Sequence, residues 1–227
     1  IRPAIHKILR HVIHDLLREI RIMIRYNDKR RSHLLDIPIG LPDAKHNGRL
    51  CDYQARRMIG PRRSSVFPTP SRASFQGPTY EAASAANYRE TGKKLTKQTW
   101  AISPKVREVD RLLRENAEAR SKIREVHPEV CFRAFAGRTL KKPKKRQPGF
   151  EERRKILTQI DREVDTMVER ALSCLRRAEV ARDDILDATV AALTAGCGTD
   201  RLLSLPGGEP QQDAYGLPME MVYCGPS

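Results

Sequence analysis

The run Leu34–Gly40 (LLDIPIG) constrains this chain more than any other stretch. It reads as a short buried strand ending in a turn, yet it carries the carboxylate of Asp36 among apolar neighbours. A charge in such a place is costly unless it is paired, hydrogen-bonded or bound to a metal ion. The fold must therefore bring Asp36 a partner.

Other acids fall into a pattern that could supply one. Asp184 and Asp187 are three residues apart in a helical stretch, so both carboxylates project from one face. Two like charges so close repel, and a hard cation between them would relieve the repulsion. Ala188, Ala191 and Ala192 keep the rest of that helix slim enough to approach a sheet. The alternative makes Asp183 a cap and Asp184 a favourable first-turn acid, which accounts for Asp184 but not for Asp187. Glu129 lies in Glu125–Phe132, a stretch with strand character that His127-Pro128-Glu129 interrupts, so this strand should be an edge or break there. His127 is either a proton shuttle beside Glu129 or a structural residue at the strand end. Two acids at strand ends and two on a late helix are what a two-metal phosphodiester hydrolase needs, with ions about 4 Å apart. Oxygen-only ligands select Mg²⁺ or Mn²⁺ over zinc. Asp36, Glu129, Asp184 and Asp187 are thus the candidate catalytic and metal-binding residues.

The rest of the chain frames these acids. Residues 3–25 have the spacing of a basic amphipathic helix, and 26–33 read as a charged linker, together an atypical N-terminal segment over 1–33. Residues 34–227 form one α/β domain. Its stretch 41–103 is rich in Pro, Gly, Ser and Arg, with helices near 50–59 and 79–90, and a long irregular stretch of this kind is often functional. Ser103-Pro104 signals a helix start. Helices are expected over about 150–180 and from Asp183 through Ala195, and a final strand over Met219–Tyr223.

Charge points to the partner. Lys and Arg total 43 against 28 Asp and Glu, a net +15 that favours polyanions, nucleic acid first. Arg62 and Arg63 of the loop Pro61–Phe67 could contact phosphate, or the loop could be anchored to the core by Val66 and Phe67. Lys93 and Lys105 are further candidate substrate-binding residues, and Lys141–Arg146 is either a solvated loop or a backbone-tracking one. With aromatics at 5%, a surface stacking base after base is not favoured. No run approaches the roughly 20 apolar residues of a membrane span. Five scattered cysteines without a CxxC pair indicate reduced thiols, and with no secretory signal legible the expected location is cytoplasmic. The first residue is Ile1 rather than Met, as in a fragment. No nucleophile elbow, P-loop or dinucleotide fingerprint occurs.

Six phrases carry a family resemblance: Asp36–Pro42 (DIPIGLP), Ser64–Pro70 (SSVFPTP), Gly92–Asp110 (GKKLTKQTWAISPKVREVD), His127–Phe132 (HPEVCF), Asp183–Ala188 (DDILDA) and Met219–Tyr223 (MEMVY). In order and spacing they resemble domain-of-unknown-function family 429, predicted nucleases of RNase H-like fold. The resemblance implies a five-stranded mixed sheet flanked by helices, with Asp36 on the fourth strand, Glu129 on the fifth, and Asp184 and Asp187 on the closing helix. It also implies a first-strand aspartate within a three-strand meander, and residues 1–33 show neither. Two functions follow as expectations: a Mg²⁺- or Mn²⁺-dependent nuclease, or a catalytically silent basic module that binds nucleic acid or protein.

Overall fold

The computed structural model describes residues 33–46, 48–174, 180–198 and 200–225. The helix and linker expected over 1–33, and the question of a first-strand aspartate, lie outside the described residues except for His33.

The chain is a mixed α/β protein dominated by helix. Strand β1 (His33–Leu35) pairs in parallel with β2 (Ile123–Glu125), and the Val126 N–H extends the ladder to the Leu35 carbonyl at 2.9 Å. Strand β3 (Leu202–Leu205) runs antiparallel to β6 (Met221–Cys224), and β4 (Gln211–Gln212) to β5 (Pro218–Met219). A parallel bridge between Val126 and Val222 joins the first two pairs. Among the described residues these are three two-stranded sheets rather than the five-stranded sheet expected.

The helices are α1 (Leu50–Ile59), α2 (Tyr80–Thr91), α3 (Lys97–Glu115) and α4 (Ala117–Lys122), then α5 (Pro128–Ala136) and α6 (Gln147–Ile160). Helices α7 (Glu163–Cys174) and α8 (Arg182–Ala195) follow, and 3₁₀ turns cover Gly60–Ser65 and Arg72–Gln76. Three expectations are corrected. The strand over Glu125–Phe132 stops at Glu125, because Pro128 takes the first position of α5, where its missing N–H costs nothing. Glu129 is therefore a first-turn helical acid. Helix α3 starts at Lys97, capped by Thr96, whose hydroxyl accepts the Thr99 N–H at 3.0 Å, and it runs through Pro104. The expected helix over 150–180 is broken at Asp161 into α6 and α7.

Three apolar clusters hold these pieces. Phe132, Phe150, Leu157, Val168 and Leu186 join α5 to α8. Cys51, Ile59, Val66, Met219 and Met221 seat α1 on the C-terminal strands, and Ile39, Val109, Leu113, Ile123 and Leu217 pack α3 against β2. Each such side chain contributes roughly 1.5–3 kcal/mol on burial. Two arginines are as buried as these: Arg49 at 1% exposure and Arg153 at 0%. Fully buried charge requires partners. Arg49 donates to Glu125 at 2.6 and 2.7 Å and to Asp52 at 2.5 and 3.0 Å, while Arg153 donates to both oxygens of Glu129 at 2.8 and 2.7 Å. The Ile39 N–H also donates to Glu125, at 2.7 Å.

The cysteines depart from expectation as well. Cys197, just beyond α8, is bonded to Cys224 of β6, 27 residues away, while Cys51, Cys131 and Cys174 are free. Scattered positions meet here because β6 returns beside the end of α8. This pairing removes the cysteine argument for a reducing compartment. No helix among the described residues is long and apolar enough to cross a membrane. A loop of 27 residues closed by a disulfide contributes about 3 kcal/mol in the chain-entropy picture. Dithiothreitol should therefore lower the melting temperature by roughly 6–12 °C. Identical melting with and without reductant would show the bond to be absent in solution.

Candidate functional site

Four carboxylates meet where β1 ends against α8. Strand β1 stops at Leu35, so Asp36 lies in the following bend, exposed to solvent rather than sealed in an apolar strand. Opposite, the first turns of α8 present Asp183, Asp184 and Asp187. Asp183 and Asp184 suit the positive end of the helix dipole. Asp187 lies one turn further in, with its side chain 13% exposed.

The cation among them is Lys144. It pairs with Asp187 and stands 3.9 Å from Asp183. In the run Lys141–Arg146 the other five side chains are exposed and Lys144 alone is half-buried. Its loop is fixed on three sides. Leu140 is buried in the core, the Arg153 guanidinium donates to the Lys142 carbonyl at 3.1 Å, and Gly149 lets the Pro143 carbonyl lie where any Cβ would collide at 2.1 Å. Burial works against the Lys144 ammonium, but Asp187, and then Asp36 and Asp183, hold its pKa above the ordinary value.

The carboxylates remain under-neutralised. Burial pushes Asp187 up to about 7 against the pull of Lys144, with Asp36 and Glu129 adding repulsion. The protein crowding Asp36 raises its pKa to about 6, against Lys144 and with Asp184, though solvent on its open side screens part of this. Such a cluster relieves its repulsion with a lysine, a proton or a metal cation. Oδ1 of Asp187 is buried and has no hydrogen-bond partner.

Glu129 faces the same site from α5, held on Arg153 and with Arg62 Nε 3.7 Å away. Beside it His127 Nε2 lies 3.3 Å from the Ser65 carbonyl. A carbonyl only accepts, so Nε2 carries the proton in that contact and Nδ1 keeps its lone pair. Burial lowers the His127 pKa, which keeps the ring neutral. His127 Nδ1, Arg62 Nε, Arg153 Nε and Asp187 Oδ1 are all buried without a hydrogen-bond partner. Buried orphans of this kind are scarce in folded proteins, and four of them border one site.

The four expected acids thus share one region, Asp36 and Asp187 about Lys144, Asp184 near Asp36, and Glu129 on its arginines. Asp183, read from sequence as a cap, is instead an ion-pairing acid, one turn before Asp187 on α8. Lys144 was legible only as one of five basic residues in a run. Among the expected substrate contacts, Arg62 turns to Glu129, whereas Arg63 and Lys93 line a neighbouring cavity. Lys105 is exposed on α3, outside that lining.

Among the described residues, no three His, Cys, Asp or Glu side chains stand close enough to hold a metal ion as they are. The donors nonetheless suit a hard cation in kind, being carboxylate oxygens, one of them orphaned. The obstacle is Lys144, a side chain on a loop.

Fold and site together define a mixed α/β protein with a cluster of carboxylates gathered about one lysine. The family model described as "Protein of unknown function (DUF429)" matches residues 6–211, and the chain belongs to that family. No curated protein and no solved structure matches it.

Proposed function

We propose that this chain is a metal-dependent hydrolase of phosphodiester bonds in nucleic acid, built on a divergent RNase H-like fold. The observation that supports this best is the meeting of Asp36 with the α8 acids around one ammonium, with Asp187 Oδ1 left unpartnered. Asp36, Asp184 and Asp187 would hold Mg²⁺ or Mn²⁺ once Lys144 withdraws. When bound, such an ion lowers the pKa of water and neutralises charge on phosphate oxygens. Glu129, fastened by Arg153, orients its surroundings rather than serving as an open ligand. His127, neutral with a free lone pair at Nδ1, can accept a proton. The net charge of +15 suits a polyanionic substrate.

A second reading, a silent binding module, is favoured by one observation: Lys144 already neutralises the acids that a metal would need. Labelled single-stranded, duplex and branched DNA and RNA, incubated with Mn²⁺, separate the two. The nuclease reading expects cleavage that falls at least a hundredfold in the Asp184→Asn/Asp187→Asn variant. A folded protein that binds these substrates without cutting any of them would leave the module.

A further inference from the structure

A second candidate site lies beside the acidic one, across the 3₁₀ turn Gly60–Ser65. A cavity of about 540 Å³ opens between α1, this turn and the segment that joins α2 to α3. Small-ligand sites occupy roughly 300–1,000 Å³. Arg63 and Ser64 of the turn, Arg56 of α1 and Lys93 line it. So do Tyr53 and Phe67, which belong to the few large apolar side chains the protein leaves exposed, at 42% and 37%.

These groups are arranged rather than scattered. The Lys93 ammonium lies 2.5 Å from the Tyr53 hydroxyl and 5.1 Å from its ring centre, and the Arg56 guanidinium is 5.8 Å from the same ring. Arg56 is held by its Nε–H on the Val66 carbonyl at 3.1 Å. Gly48 has φ +98°, and a Cβ there would come within 3.0 Å of the Tyr53 hydroxyl and 3.1 Å of the Lys93 ammonium. A side chain at this position would crowd both polar groups. The buried Arg49–Asp52 pair also borders the hollow, and with Arg56, Arg63 and Lys93 its lining carries an excess of positive charge that suits an anion. Exposed rings in the same hollow favour an anion that also carries a flat, stackable group.

We propose that this cavity binds one nucleotide unit, its phosphate on Arg63, Ser64 and Lys93 and its base against Tyr53 and Phe67. A single unit needs two rings, not the run of aromatics that the composition lacks. The inference rests on the nucleic-acid reading above and extends it: the turn sends Arg62 to Glu129 and the next two residues into the cavity. A strand with one nucleotide in the cavity would be delivered to the acids across that turn.

The test is equilibrium binding of a labelled single-stranded oligonucleotide and of adenosine monophosphate to the full chain, with EDTA present. Excluding metal keeps the result separate from the nuclease reading, which can fail while this binding persists. Binding of the strand, the mononucleotide or both is expected, and which of them binds names the source of the unit. Phe67→Ala and Tyr53→Ala should each weaken it roughly five- to a hundredfold. Arg63→Ala should weaken it and lower the slope of log affinity against log salt by about 1. Lys155→Ala, exposed on α6, should change affinity much less. Circular dichroism checks that each variant is folded. Absence of binding by either ligand overturns the proposal, as does binding that folded Phe67→Ala, Tyr53→Ala and Arg63→Ala all leave unchanged.

Discussion

Arg49→Met should destabilise the domain by about 3–5 kcal/mol, enough to leave it largely unfolded if its total stability is ordinary. The side chain is 1% exposed and ties together three separate parts of the chain. Its guanidinium donates to Glu125 at the end of β2, to Asp52 in α1 and to the Ile39 carbonyl at 2.9 Å, just after the bend that carries Asp36. Methionine fills much of the volume but leaves two carboxylates buried without a cation. Burial already pushes Glu125 up to about 7, with Arg49 pulling the other way. Without Arg49, Glu125 must take up a proton or drag water inward. Urea unfolding of Arg49→Met and of Arg49→Met/Glu125→Leu measures this. The double variant should recover part of the loss, since removing both charges is far cheaper than stranding one. A single-variant loss below about 1 kcal/mol would mean that the pair is not formed in solution.

The contrast between Arg49 and the helices shows what sequence can carry. Helix α1, helix α2 capped by Thr79, and helix α8 stand close to where periodicity and turn residues put them, because those signals act within a few residues. Errors arose where a local signal had a rival. Ser103-Pro104 resembles a start, but Thr96 caps about two turns earlier and α3 tolerates the proline. His127-Pro128-Glu129 resembles a broken strand, yet proline serves a helix's first turn equally well. The ion pairs had no local signal at all. Arg49 and Glu125 are 76 residues apart, and Arg153 and Glu129 are 24 apart. Nothing in the spacing of either arginine distinguishes it from the many that stay on the surface. The acids were legible because carboxylates in apolar company are anomalous wherever they stand. Lys144 was not, since its four basic neighbours give it the look of solvated charge.

Lys144→Met should change the protein's response to metal more than any other single substitution. In the wild-type chain, Mn²⁺ must displace an ammonium tethered among Asp183, Asp187 and Asp36, so its apparent affinity is reduced by that competition. Methionine removes the competitor and leaves the carboxylates facing one another. The metal-free variant should melt below wild type, and saturating Mn²⁺ should restore it. At a free concentration of about 100 Kd the gain is about 2.7 kcal/mol, or roughly 5–11 °C in melting temperature for a domain of this size. Wild type should show a smaller gain at the same concentration. Lys144→Arg keeps the positive charge and should respond like wild type, which separates loss of charge from loss of packing. Adding Asp187→Asn to Lys144→Met should abolish the rescue, since the orphaned Oδ1 belongs to that carboxylate. If Lys144→Met is destabilised and Mn²⁺ does nothing for it, the lysine is a structural counter-ion and the acids are not a metal site. That outcome would move the second reading, a binding module, into first place. A rescue confined to the variant would make Lys144 the gate on the acids, with substrate or a loop movement required to open it in the native chain.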